Sequence, residues 1–119
     1  MPVRSLNSSV LKWPDKKSVD REVRLWAGEI AKSNPQIAGI GYFGSYARGD
    51  WGVGSDLDLI VIVDNVESKE KMTTLDATTL PVPADVLIYT QEEWDTLPLE
   101  GRFFRTVMNE IIWVYESII

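Results

Sequence analysis

The spacing of apolar positions changes several times along the chain, and each change predicts an element. From Ser18 onward, Val19, Val23, Trp26 and Ile30 recur at three- and four-residue steps with charges between them. That period predicts a helix with one apolar side, stopped at Asn34-Pro35. The run "IAGIGYF" (Ile37–Phe43) is apolar, aromatic and glycine-bearing, which fits a buried strand that another group approaches closely. Residues 56–63, "DLDLIVIV", are apolar on both sides beyond their start, as in a central strand covered on both faces. The following "DNVESKEKMTT" reads as charged and solvated. A third apolar run, "ADVLIYT" (Ala84–Thr90), follows the turn-forming "PVP". The segment "QEEWDTLPLEGRFFRTVMNE" predicts one or two helical pieces broken at Pro98 and Gly101, and "IIWVYE" predicts a last strand.

Alternating strands and helices without repeats or linkers point to an α/β (α+β) chain, a single small domain with a mixed β-sheet flanked by helices. Residues 1–16, polar with Pro2 and Pro14, read as an N-terminal arm to which no role is assigned, and residues 17–119 as the domain. The length of 119 residues suits one domain.

Charge and composition then remove several functions. A net charge of −6 disfavours direct binding of nucleic acid through a basic surface, because Lys and Arg supply most phosphate neutralisation. With no Cys and no His, there is no disulfide, no thiolate metal site and no histidine base. Chemistry must then rest on carboxylates, hydroxyls, Lys or Arg, or a bound metal. No secretory leader and no membrane-length apolar run is legible, so the expected location is the cytoplasm, with no membrane partner.

Against that background, "GYFGSYARGDWGVGSDLDLIVIV" carries the candidate chemistry. Alternation along a strand sets Asp56 and Asp58 on one face, roughly 6.6 Å apart at about 3.3 Å per residue. Two such carboxylates repel, and a divalent cation relieves the repulsion; oxygen ligands suit Mg²⁺ or Mn²⁺, which complete their shells with water and substrate phosphate. A polar strand end is the plainer reading of Asp-x-Asp by itself. In front of the pair, Gly44-Ser45 ends one apolar run, and "SYARGD" can open a short helix whose N–H groups and Ser45 hydroxyl face an anion. Trp51 fits a cap on a hydrophobic edge better than a base-stacking platform. Trp26, Phe103, Phe104 and Trp113 are read as core, and Asp50, Gly49, Gly52 and Gly54 as shaping the loop.

Gly44-Ser45, ten residues and then Asp56-Leu57-Asp58, with Ala47-Arg48-Gly49 and Ser55, resemble the minimal nucleotidyltransferases of the DNA-polymerase-β-like nucleotidyltransferase superfamily. The resemblance spans roughly residues 19–115 and implies that family's palm-like fold. It implies that Asp56 and Asp58 are ligands of two metal ions, Mg²⁺ with Mn²⁺ as an alternative, bound with a nucleoside triphosphate. It also implies a third carboxylate from a strand beside the Asp-x-Asp strand, for which "VPADVLIYT" offers Asp85, as a ligand and as the group that helps deprotonate the acceptor. Standing alone, Asp85 would read as a solvated aspartate after a proline turn. Gly44 and Ser45 are implied contacts to the β- and γ-phosphates. Arg48 is a further candidate, equally readable as a surface ion-pair partner. Two-metal in-line displacement asks little of protein acids and bases, which suits a chain lacking His and Cys.

Family members of this size commonly pair with a HEPN-domain protein in toxin–antitoxin modules. The leading expectation is therefore an antitoxin that transfers AMP from ATP to a hydroxyl of that partner, the chain carrying no helical or thumb domain of its own for an acceptor. One alternative is a non-catalytic nucleotide-binding scaffold that neutralises its partner by binding. Another is transfer to a small-molecule hydroxyl in a cleft completed by a homodimer, so homo- and hetero-oligomers both stay open.

Overall fold

The computed structural model describes residues 13–72, 75–97 and 101–117, and most of the expected arm lies outside them. Helix α1 (Lys16–Ser33) begins two residues before the expected Ser18, because the Asp15 carboxylate caps it by accepting the Ser18 N–H at 2.9 Å. It ends at Asn34, as the Asn-Pro pair predicts. Strand β1 (Ile37–Phe43) leads through Gly44 into the four-residue α2 (Ser45–Arg48). Strand β2 spans Leu57–Val63, so Asp56 stands just before the strand rather than inside it.

The stretch after β2, read as solvated, forms a short helix α3 (Val66–Lys71), capped by Asn65, whose side chain accepts the Ser68 N–H at 2.8 Å. Strand β3 (Ala84–Thr90) runs directly into α4 (Gln91–Thr96) through a capping box, in which Thr90 and Glu93 satisfy each other's backbone N–H groups. Helix α5 (Arg102–Glu110) starts at Gly101, a predicted breaker whose φ of +151° favours glycine, while Pro98 lies outside the described residues. Strand β4 (Ile112–Glu116) is the last element among the described residues.

The sheet is mixed and four-stranded, in the order β3-β2-β1-β4. Strand β1 pairs antiparallel with β2 and β4, and β2 pairs parallel with β3. Strand β2 is buried on both faces, as its unbroken apolar run requires. On one face Leu57, Leu59, Val61 and Val63 pack with Ile40 and Tyr42 against Val19, Val23, Trp26 and Ala27 of α1. On the other, Ile60 and Ile62 pack with Trp94, Leu97 and Val107 of the C-terminal segments.

The closeness expected at "IAGIGYF" comes from β4. A methyl group on Gly41 would stand 2.9 Å from Ile111 Cδ1 and 3.0 Å from the Ile112 carbonyl. Trp26 is core on the α1 side, and Trp113 and Phe104 are partly buried against the cluster on the other face, but Phe103 is 63% exposed. The inward stripe of α5 is Phe104, Val107 and Met108, and Phe103 stands one position off it, out of register with the buried side. Among the described residues no helix is long and apolar enough to cross a membrane.

Candidate active site

Parallel pairing of β2 with β3 sets Asp58 directly opposite Asp85, so two residues 27 positions apart become cross-strand neighbours on one face. Neighbouring strands lie about 4.7–4.9 Å apart in the hydrogen-bonding direction, so the two aspartates start from adjacent backbone positions. Asp58 is half-buried, whereas Asp85 and Asp56 are exposed. The Asp58 carboxyl is pushed above its ordinary value, first by burial and then by the charges of Asp85 and Asp56; Arg48 opposes the shift and Glu110 adds to it. The strand thus holds a carboxylate in a place where its ionised form is disfavoured.

Gly44 joins the two halves of the motif. Its φ is +92°, and a β-carbon added there would lie 2.8 Å from Asp58 Oδ2. Only glycine lets the chain turn at this point and lets the backbone meet the Asp58 carboxylate. Beyond it, Ser45 opens α2, and the turn is tied by the Arg48 N–H to the Gly44 carbonyl and by the Gly49 N–H to the Ser45 carbonyl. Tyr46 anchors this turn from below: its ring is buried, and its hydroxyl donates to the Pro14 carbonyl at 2.8 Å. Trp51 stacks on Tyr46 with ring centres 5.6 Å apart and planes within 7°, and Ser55 Oγ accepts the Gly52 N–H at 2.8 Å. Trp51 thereby covers an aromatic edge of the loop, as its position suggested.

Arg48 is an ion-pair residue in this structure. Its Nε reaches Asp50 at 3.1 Å, and its Nη1 reaches Glu110 Oε2 at 3.2 Å and Oε1 at 3.4 Å. Glu110, which the sequence did not single out, also takes the Gly44 N–H on Oε2 at 2.8 Å. This residue ends α5, 66 positions from Gly44, and no local pattern links the two. The one hint in the sequence is an acid closing an amphipathic helix immediately before an apolar strand.

Asp56, Asp58 and Asp85 offer oxygen donors alone, the set that suits a hard divalent cation, and a cation would offset the Asp85 and Asp56 charges that add to the effect of burial at Asp58. Among the described residues no three acidic side chains already converge as ligands. At the edge of β3 a cleft of about 720 Å³ has Asp85 at its rim and is walled by Leu80, Val82, Ala84, Val86 and Ile88.

A family profile described as "Nucleotidyltransferase domain" matches residues 26–116. Among solved structures, a candidate nucleotidyltransferase from Sulfolobus solfataricus is 20% identical to this chain, with a TM-score of 0.58 over 86% of this chain and 84% of that one. A chain in a toxin–antitoxin structure with AMP-PNP is 19% identical, with a TM-score of 0.49 over 79% of this chain and 73% of that one. Comparison with curated proteins gives no match.

Proposed function

Because the chain belongs to the nucleotidyltransferase-domain family, we propose that it transfers AMP from ATP to a hydroxyl of a partner protein, and that this partner is a HEPN-domain toxin for which the chain is the antitoxin. Nucleotidyl transfer follows from the family; the donor, the acceptor and the antitoxin role rest on the motif resemblance. The observation that carries the reading is the meeting of Asp58 with Asp85 across β2 and β3, with Gly44 against the Asp58 carboxylate. One arrangement thus joins the acids to the glycine turn.

In this reading Asp56, Asp58 and Asp85 hold two Mg²⁺ ions, with Mn²⁺ as a substitute. Bound there, the ions neutralise the triphosphate and lower the pKa of the attacking hydroxyl. Gly44 and Ser45 contact the β- and γ-phosphates through N–H and hydroxyl donors, and Arg48 adds a cation beside them. Asp85, exposed at the sheet edge, accepts the proton of the acceptor hydroxyl. The hydroxyl oxygen bonds to the α-phosphorus as the bond from that phosphorus to the bridging oxygen breaks. Pyrophosphate leaves with the electron pair of the broken bond.

A second reading, transfer to a small-molecule hydroxyl, draws on the cleft at the edge of β3 that Asp85 helps to line. Incubating the protein with Mg²⁺, α-labelled nucleoside triphosphates and the product of the adjacent gene separates the readings. Label on that product, with a mass gain of one nucleoside monophosphate and its loss in Asp58→Ala, is the expected result. Label on neither protein, with wild type and Asp58→Ala protecting cells equally from the partner, would leave a scaffold that acts by binding. Label released on a small molecule would move the assignment to the cleft.

A further inference from the structure

We propose that Glu110 is an internal anion that occupies the phosphate donors of the Gly44–Arg48 turn and is displaced when a triphosphate binds. This rests on the reading of Gly44 and Arg48 as phosphate contacts given above. A single atom, Glu110 Oε2, accepts from the Gly44 backbone at 2.8 Å and from Arg48 Nη1 at 3.2 Å. Those two donors are the ones that a phosphate oxygen would need, and the Gly44 N–H has one hydrogen to give.

The glutamate is not a loose surface acid. Its side chain is 16% exposed against 49% for Arg48, so the inner end of the pair is the carboxylate. Its main chain is fixed on both sides. The Ile111 N–H donates to Val107 at 2.9 Å, and Ile112 pairs with Tyr42 in β1. The side chain, with three rotatable bonds, is the movable part. Its charge adds to a group that already contains Asp58, Asp85 and Asp56, since Glu110 contributes to the upward push on Asp58. An additional acid beside three others is held there by the backbone N–H and the guanidinium, because a hydrogen bond to a charged group is worth more than an exposed ion pair.

Two consequences follow. Without nucleotide, the buried Gly44 N–H is satisfied and the turn keeps its shape. With nucleotide, the phosphate must outcompete a tethered carboxylate, and the released Glu110 then faces another anion. Weak ligands with one phosphate are therefore held off, and a cation-loaded triphosphate is favoured.

The test is a calorimetric titration of inorganic tripolyphosphate with Mg²⁺ into wild type, Glu110→Ala, Glu110→Gln and Glu110→Asp. Removing the competitor in Glu110→Ala should tighten binding by on the order of tenfold. Glu110→Gln, which keeps an acceptor without the charge, should fall between Glu110→Ala and wild type. Glu110→Asp keeps the charge but withdraws it from the N–H, and should also bind more tightly than wild type. Thermal melting confirms that each variant is folded, and if Glu110→Ala is not, the Gln and Asp variants decide. Equal or weaker binding in the folded variants, or no tripolyphosphate binding by any of them, overturns the proposal. Transfer activity separates the two readings. Tighter binding without transfer supports the internal anion and removes the transferase, whereas transfer with unchanged binding does the reverse.

Discussion

At Asp58 the chain keeps a carboxylate that its surroundings push toward the neutral form. An acid with a raised value in the folded state binds more protons folded than unfolded between its unfolded value and the raised one. Its contribution to stability is therefore greatest below that window and declines as pH rises through it. Asp58→Asn removes the penalty. In metal-free buffer at pH 7 this variant should melt above wild type, with the gap narrowing as pH falls into the carboxylate range, and nucleotidyl transfer should drop at least about a hundredfold, the upper end of the loss produced by disturbing even a metal's outer shell. Melting curves at both pH values with a transfer assay check this, and a variant that melts at or below wild type at pH 7 would contradict it. At this scale the sequence was informative where chemistry is local. Gly44-Ser45 and Asp-x-Asp stand close together in one loop and the start of the next strand, and an edge-capping place for Trp51 was readable from its loop position, though not its partner Tyr46. Glu110 was not legible, since its partners Gly44 and Arg48 lie more than sixty positions away. Phe103 was misread because residue type suggested a core place, whereas the stripe through Phe104 and Val107 leaves it outside.

Between elements, a polar contact adds to the apolar packing that joins α1 to β1. The Tyr42 hydroxyl donates to Asp20 Oδ1 at 2.7 Å, and Arg24 Nε donates to Asp20 Oδ2 at the same distance. Burial pushes the Tyr42 phenol well above its usual range, and the bond to Asp20 adds to this. For Asp20, burial pushes upward but is outweighed by the bonds from Arg24 and Tyr42, which hold it below the usual carboxylate range. In Tyr42→Phe the ring still fills its place and Asp20 keeps Arg24, so the loss should be about 0.5–1.5 kcal/mol by urea unfolding. A loss several times larger would mean that the hydroxyl does more than join these two elements. The end of α1 and the break at Gly101 were readable because caps and breakers act locally, whereas the start of α1 was placed two residues late because the Asp15 cap was not recognised. Helix α3 was missed although its Asn65 cap and Ser68 stand in the sequence, because a charged stretch with no buried side lacks the apolar period that marks a helix.

For the molecule as a whole, the two faces of the sheet are treated differently. One packs against α1 and opens into the cleft at the edge of β3, while the C-terminal helices cover Ile60 and Ile62 and leave the Asp58 end of the other face accessible. The mixed sheet was foreseen from alternating strands and helices, but the order β3-β2-β1-β4 was not, since pairing depends on contacts that periodicity does not encode. A cation held by the acidic cluster would add to the stability of the whole fold. If the three aspartates hold Mg²⁺ in the folded state alone, the ion stabilises the fold by mass action, by about 2.7 kcal/mol when present at a hundred times its dissociation constant. Melting with Mg²⁺ should then exceed melting with a chelator, and the difference should vanish in Asp58→Asn. An equal rise in both proteins would locate the ion elsewhere.

Among the described residues, strand β3 has a strand neighbour on one side only, and that neighbour is reached by a parallel crossover through α3. Opening of a sheet begins at edges with few partners, well below the free energy of global unfolding. When β3 lifts from β2, Asp85 leaves Asp58 while the α1 face, the Gly44 turn and Asp56 keep their places. Asp58 and Asp85 therefore face each other only while that edge pairing is closed, and a ligand that bridged them would work as a clasp on that edge, slowing amide exchange along β3.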